Sequence, residues 1–190
     1  MSTVIKMFTA LVLIGILSGG LLSTLNEWAE PKIEANRKAE TERAIFLVQP
    51  SAKKYEKIES VQFELYRVFD ENNIELGYAL PYEGNGFQGK IRLMVGVKSD
   101  LKELVGLQVL EQVETPGLGT KITEQPFTEQ FVNLIAEPAI NWVKGIKPSN
   151  PNEIQAITGA TISSKAVVSI INDCIKVLRE SKISGGNNEK

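Results

Sequence analysis

The stretch Ala156-Ile157-Thr158-Gly159-Ala160-Thr161-Ile162-Ser163-Ser164 separates two different hydrophobic patterns. Before Gly159, a short apolar run over residues 154–157 is typical of a buried strand. After it, apolar residues recur at helical spacing at Val167, Ile170, Ile171, Cys174 and Leu178. The two patterns predict a strand that ends near Gly159 and a helix that begins near Thr161.

The start of this predicted helix is suited to a bound phosphate. First-turn N–H groups lack partners within a helix, and the positive end of the helix dipole lies beside them. Gly159 and Ala160 place no bulk there, while Thr161, Ser163 and Ser164 each carry a hydroxyl. Serine and threonine at a helix start are also ordinary caps. The residue types alone therefore leave capping and phosphate binding both open.

Three stretches resemble the FMN-binding domain family. Thr158-Gly159-Ala160-Thr161 looks like its S/T-G-A-T motif, whose last threonine is joined to the phosphate of FMN. Glu114-Thr115-Pro116-Gly117-Leu118-Gly119 is similar to the loop that faces the flavin ring. A looser match is Gly77-Tyr78-Ala79, which is followed by Gly84, Gly86 and Gly89. All three occur in the order found in the family.

This resemblance implies covalent FMN, attached through its phosphate to Thr161. The residues expected around the attachment point are Thr158, Gly159, Ala160, Ser163 and Ser164. Those expected at the flavin ring are Glu114, Thr115, Pro116, Gly117, Leu118 and Gly119. The resemblance also implies a separate Mg-dependent flavin transferase that uses FAD as donor. No catalytic residue and no metal ligand is assigned to the chain.

Within the family, the chain most resembles the G subunit of the Rnf electron-transport complex. That resemblance implies electron transfer between ferredoxin and NAD, coupled to Na⁺ or H⁺ movement, with partner subunits that hold iron–sulfur clusters and other flavins. The C subunit of the sodium-pumping NADH:quinone reductase shares the motifs but is typically longer. A membrane-anchored regulatory flavin domain is a further alternative. One departure is Gln112, where related chains often carry His.

Composition excludes several other classes of function. The 190 residues carry a net charge of −2, and no basic stripe with interleaved aromatic residues suggests nucleic-acid binding. With no histidine and only Cys174, the chain cannot build the usual zinc, four-cysteine iron–sulfur or His-ligated haem sites. A serine hydrolase using Ser163 or Ser164 lacks both a histidine and a Gly-x-Ser-x-Gly elbow. An electron carrier of this composition needs an organic cofactor.

The N-terminal region predicts a membrane anchor over residues 1–25. Met7 to Leu25 is 19 residues without a charge, which spans about 28 Å as a helix and matches the hydrocarbon core of a bilayer. No Ala-x-Ala cleavage site follows, which disfavours a signal peptide. Lys6 weakly favours an N-terminus in the cytoplasm and a domain on the outer face of the cytoplasmic membrane.

The rest of the chain divides into a polar helical connector over residues 26–49, a folded FMN-binding domain over 50–182 and a disordered tail over 183–190. Alternating apolar residues between short turns predict neighbouring strands. The predicted strands lie near 61–69, 74–80, 91–97, 104–113 and 139–146, with a glycine-rich loop over 81–89 and a helix from Pro126. The expected fold is therefore α+β: one transmembrane helix, then an antiparallel sheet flanked by helices.

Five further side chains need separate mention. Tyr78, Phe87 and Trp142 are each candidates to stack on the flavin, although aromatic residues more often lie in a core. Lys165 is a possible cation for the phosphate, although a solvated helix lysine is the simpler interpretation. Cys174 lies on the apolar stripe of the last helix, which predicts a buried and unreactive thiol.

Overall fold

The computed structural model describes residues 2–185, with side chains described through Ser181. The chain divides into two compact units after Glu40. The first unit is the part of helix α1 (Ser2–Val48) that ends at Glu40. The most apolar 18-residue window of α1 has a mean hydropathy of 2.1, and no part of that window is buried by protein. This is the one helix in the described chain that is long and apolar enough to cross a bilayer. Helix α1 runs without a break from the predicted anchor into the predicted connector, so Pro31 lies inside a helix.

The second unit is built on a five-stranded antiparallel sheet. Its strands, in spatial as well as sequence order, are β1 (Lys54–Lys57), β2 (Tyr66–Phe69), β3 (Glu75–Asn85), β4 (Lys90–Lys98) and β5 (Leu104–Gln112). A separate parallel pair consists of β6 (Asn141–Val143) and β7 (Glu153–Gln155). The predicted α+β class, with an antiparallel sheet and flanking helices, is confirmed.

The remaining helices are short except for the last. A 3-10 helix (Gly119–Thr123), α2 (Gln125–Thr128) and a second 3-10 turn (Glu129–Phe131) precede α3 (Thr161–Gly185). The helix predicted from Pro126 is thus only about one turn long, although Phe127 and Phe131 are buried as its apolar pattern requires. Residues 186–190 of the predicted tail lie outside the described residues.

The sheet differs from the sequence prediction around Pro81. The sequence pattern predicts a glycine-rich loop over residues 81–89, whereas β3 continues to Asn85. Pro81 pairs with Met94 in an unbroken β3–β4 register, and only residues 86–89 form the turn. Strand β1 was not predicted, and of the predicted 61–69 strand only the last four residues pair with neighbours.

Helix α3 covers one face of this sheet. Its buried side chains are the predicted stripe of Val167, Ile170, Ile171, Cys174 and Leu178. They pack with buried residues of β3, β4 and β5 in the larger core. A Cβ built at Gly84 of β3 would lie 2.5 Å from Cγ1 of Ile170. Only glycine at that position lets the helix lie so close to the strand.

The opposite face of the sheet is covered by the last two turns of α1. Ala44, Ile45 and Val48 are buried there in a second core with Met94. Gln49 donates from Nε2 to the backbone oxygens of two sheet residues, Tyr78 and Val97, at 3.2 and 3.1 Å. The sequence pattern predicts a domain that begins at residue 50, but its packing already includes the chain from Thr41.

The single thiol lies in the larger core. Cys174 has no exposed surface, and burial raises its pKa to about 12. Because the thiolate is the reactive form, the thiol is unreactive in the folded chain.

Candidate functional site

A cleft of about 320 Å³ opens where three chain segments meet: the 86–89 turn, the 114–119 loop and the start of α3. Lys144, the residue that follows β6, also lines the cleft. The cleft is lined by Phe87, Thr115, Leu118, Gly119, Lys144, Gly159, Ala160, Thr161, Ile162 and Ser163. Sequence motifs that are distant along the chain therefore form one site.

The predicted strand-to-helix junction is present. Strand β7 ends at Gln155, and Gly159 follows with φ +87°, a left-handed conformation that favours glycine. The N–H of Ala160 donates to Ile157, and the carbonyl of Ala160 accepts the N–H of Ser164, both at 3.0 Å. Thr161 is therefore the first residue of α3, with its first-turn N–H groups beside the cleft.

The four hydroxyls of the motif region have different environments. Ser164 is fully buried; its hydroxyl donates to the Ala160 carbonyl and accepts from the Ile157 N–H, each at 3.0 Å. Ser163 is also buried and donates to Glu114. Thr161 is partly exposed and lines the cleft, and its hydroxyl has no hydrogen-bond partner among the described residues. Thr158 is exposed and lies outside the cleft lining.

Glu114 lies behind the cleft rather than in its lining. It is only 3% exposed, and its Oε1 accepts the backbone N–H groups of Phe87 and Gln88 at 2.7 and 3.1 Å. Its Oε2 accepts the hydroxyl of Ser163 at 2.5 Å. The Glu114 N–H in turn donates to the side-chain oxygen of Gln112 at 2.6 Å. Gln112 thus helps to position the backbone of Glu114.

The 115–119 loop is held by its own hydrogen bonds. The Thr115 carbonyl accepts from the N–H groups of Leu118 and Thr120, both at 3.2 Å. Gly117 has φ +75°, and its N–H donates to the Thr120 hydroxyl at 3.0 Å. Leu118 is 47% exposed and projects an apolar side chain at the cleft. Pro116 and Gly117 shape the loop but do not line the cleft.

Only one of the three candidate aromatic residues lines the cleft. Phe87 does so and is 59% exposed. Tyr78 is buried in the larger core, and Trp142 is half-buried with the Lys165 ammonium 4.2 Å from its ring centroid. The cleft instead contains Lys144, which sequence reasoning missed, because a lysine after a short strand carries no distinguishing local pattern.

These residues fit a phosphate-bearing aromatic cofactor. Gly119, Gly159 and Ala160 line the helix start with no side chain larger than a methyl group, and Lys144 supplies a positive charge in the same lining. Phe87, Leu118 and Ile162 supply exposed apolar side chains for a flat ring. Among the described residues, no group of His, Cys, Asp and Glu side chains could hold a metal ion.

Residues 86–176 match the family described as FMN-binding domain. This segment is therefore similar to FMN-binding domains. It is 28% identical over 179 residues to the G subunit of the ion-translocating oxidoreductase complex of Methanosarcina acetivorans, an alignment covering 90% of this chain and 92% of that protein. It is 39% identical over 93 residues to the G subunit of the Na⁺-translocating ferredoxin:NAD⁺ oxidoreductase complex of Acetobacterium woodii, covering 49% and 44%.

A solved structure shares the fold of this chain. The crystal structure of the C subunit of the Na⁺-translocating NADH-quinone reductase from Parabacteroides distasonis superposes with a TM-score of 0.59 at 18% identity. The superposition covers 75% of this chain and 92% of that one. By sequence, the chain aligns with nearly all of the Methanosarcina protein and with less than half of the Acetobacterium protein.

The left-handed residue of the 114–119 loop provides a test of that loop. A Cβ built at Gly117 would meet no atom within 4 Å, so we expect the cost of Gly117→Val to be mainly backbone strain, about 1–2 kcal/mol of unfolding free energy. We expect the variant to fold and to shift the visible absorption spectrum of bound flavin, because the loop must change shape. Asn133→Val introduces the same strain at φ +58° away from the cleft and should leave the spectrum unchanged. An unchanged spectrum in folded Gly117→Val would exclude this loop from the flavin environment.

Proposed function

We propose that this chain is the G-type electron-transfer subunit of an Rnf-type, ion-translocating ferredoxin:NAD oxidoreductase complex. Support comes from the FMN-binding domain, from the two G-type relatives and from the apolar helix α1. The C-type chain of a sodium-pumping NADH:quinone reductase has the same fold at 18% identity over 75% of this chain, whereas the Methanosarcina G-type chain is 28% identical over 90% of it. We therefore favour the G-type assignment.

The observation that carries the cofactor proposal is the Thr161 hydroxyl at the start of α3, which no described residue engages. We infer that this hydroxyl carries FMN as a phosphate ester. With FAD as donor, the Thr161 oxygen forms a bond to the phosphorus on the FMN side. The bond from that phosphorus to the bridging oxygen breaks, AMP leaves, and the hydroxyl proton passes to solvent. The remaining negative charge is stabilised by the helix dipole, by roughly 0.3–1 kcal/mol.

The other cleft residues have distinct proposed roles. Lys144 lies in the same lining as Thr161 and is placed to offset the phosphate charge. Phe87, Leu118 and Ile162 offer apolar surface to the ring, and Gly119 and Gly159 contribute only backbone to the lining. Bound FMN supplies the redox chemistry, so the chain needs no redox side chain of its own. The protein acts as a carrier between partner subunits rather than as an enzyme on its own.

Thr161→Val tests the attachment point. The substitution keeps the side-chain shape and removes the hydroxyl. Because that hydroxyl has no partner among the described residues, the unfolding free energy should change by less than about 0.5 kcal/mol. After co-expression with a flavin transferase, the variant should show no flavin fluorescence on a denaturing gel.

Two matched variants accompany this test. Ser164→Ala removes a buried hydroxyl that is already bonded within the chain, and it should keep the fluorescent band. Thr158→Val should weaken the band, because it alters the motif presented to the transferase but not the acceptor oxygen. A fluorescent Thr161→Val band would move the attachment point elsewhere.

Membership of a redox complex is tested by purification from the native membrane. An affinity-tagged full chain, extracted in mild detergent, should co-purify with subunits that contain iron–sulfur clusters and with ferredoxin:NAD oxidoreductase activity. Purification of the flavin-loaded chain without such subunits would favour the regulatory alternative.

The side of the membrane is tested by labelling. We propose that the N-terminus is cytoplasmic and that the FMN-binding domain lies on the outer face. Asn72→Cys places a thiol in the exposed turn between β2 and β3, whereas Cys174 is buried and does not compete. A membrane-impermeant maleimide should label this variant while the cytoplasmic membrane is intact. Labelling only after that membrane is opened would indicate the opposite topology, with the domain in the cytoplasm.

A further inference from the structure

We propose that Glu114 is a positioning residue for flavin attachment: through Ser163, its carboxylate fixes the first turn of α3 so that the Thr161 hydroxyl faces the cleft. This inference rests on the proposed attachment of FMN to Thr161. It assigns Glu114 a role behind the site, and not the contact with the flavin edge that the sequence suggested.

The first argument is that one buried carboxylate joins the three segments that form the cleft. Glu114 itself begins the 114–119 loop. Its Oε1 accepts two N–H groups of the 86–89 turn, and its Oε2 accepts the hydroxyl of Ser163 in α3, 49 residues along the chain. The residue is 3% exposed, so water does not compete for these hydrogen bonds.

The second argument is that the space around Glu114 allows little movement. A Cβ built at Gly86 would lie 2.3 Å from Oε1 of Glu114. A Cβ built at Gly119 would lie 2.6 Å from Cβ of Glu114 and 3.0 Å from its Oε2. The two glycines therefore enclose the Glu114 carboxylate on two sides. The side-chain oxygen of Gln112 accepts the backbone N–H of Glu114. The position of Glu114 is therefore determined by groups of the chain itself.

The third argument concerns how this position reaches Thr161. Ser163 is two residues further along the same helical turn, so a fixed Ser163 sets the rotation of the turn about the helix axis. Ser164 is bonded to Ala160 and Ile157, which holds the same turn to the preceding chain. With Ser163 and Ser164 both engaged, Thr161 presents the remaining hydroxyl of the turn to the cleft.

The test compares two substitutions at Glu114 in the full chain. The rate of covalent flavin incorporation is measured with FAD and a flavin transferase, and mass mapping of peptides locates the flavin. A misplacement of about 1 Å can cost about a hundredfold in rate, so we expect Glu114→Ala to slow incorporation at least about tenfold. Glu114→Gln retains an acceptor for the 86–89 turn and a polar group for Ser163. We expect it to remain within about threefold of the unmodified chain.

Two further variants separate positioning from general stability. Ser163→Ala removes the hydroxyl that links Glu114 to α3 and should also slow incorporation on Thr161. Because Ser163 also lines the cleft, its decisive outcome is an unslowed rate, which would overturn the inference even if Glu114→Ala fails to fold. Asn172→Ala removes a comparable link, in which the Asn172 side chain bonds the N–H and carbonyl of Ile140 at 2.9 Å, outside the cleft. It should leave the incorporation rate unchanged.

Each result has a defined meaning. If folded Glu114→Ala, or Ser163→Ala, incorporates flavin as fast as the unmodified chain, the inference is overturned. A Glu114→Gln variant as slow as Glu114→Ala would also overturn it, because charge rather than position would then matter. If the unmodified chain carries no covalent flavin, or carries it on another residue, the proposed attachment fails first and this inference fails with it. Flavin on Thr161 together with slow Glu114→Ala and rescued Glu114→Gln supports both.

Discussion

The close packing of α3 against β3 is the constraint on which the site depends. At Gly84 the strand offers no side chain, and Ile170 fills the space that a Cβ would take. Burying an isoleucine side chain contributes roughly 1.5–3 kcal/mol, and the same helix face buries further apolar side chains on either side of it. This packing fixes the position of α3 along the sheet. It therefore also fixes where the first turn of α3 lies relative to the 86–89 turn.

The parts of the fold that depend on local chemistry were predictable. The helical stripe from Val167 to Leu178, the glycine before the helix and the uncharged run in α1 are each encoded in a few neighbouring residues. Strand pairing is less local. Pro81 is typical of a strand end, yet β3 continues through it because nine residue pairs join β3 to β4. The short strand β1 has no alternation of its own and forms by pairing with β2.

The candidate site shows the same division between local and distant information. The motif around Thr161 and the loop from Glu114 were identified in the sequence, and the structure brings both to one cleft. The motif alone could not distinguish the hydroxyls, because Ser163 is engaged by a residue 49 positions away. The role of Gln112 and the place of Lys144 likewise depend on packing between segments. Residue patterns indicate the cofactor chemistry, while only the folded chain distinguishes a lining residue from a supporting one.

The burial of the domain's sulfur atoms has a consequence for durability. From Thr41 onward the chain contains one methionine, Met94, and one cysteine, Cys174. Both side chains have no exposed surface. Reduced flavins react with oxygen to give peroxide, which oxidises accessible thiolates and thioethers to sulfenic acid and sulfoxide. The chain from Thr41 onward therefore offers such an oxidant no exposed sulfur to attack, so brief exposure to air should change the flavin's electronic state before it damages the folded domain around it.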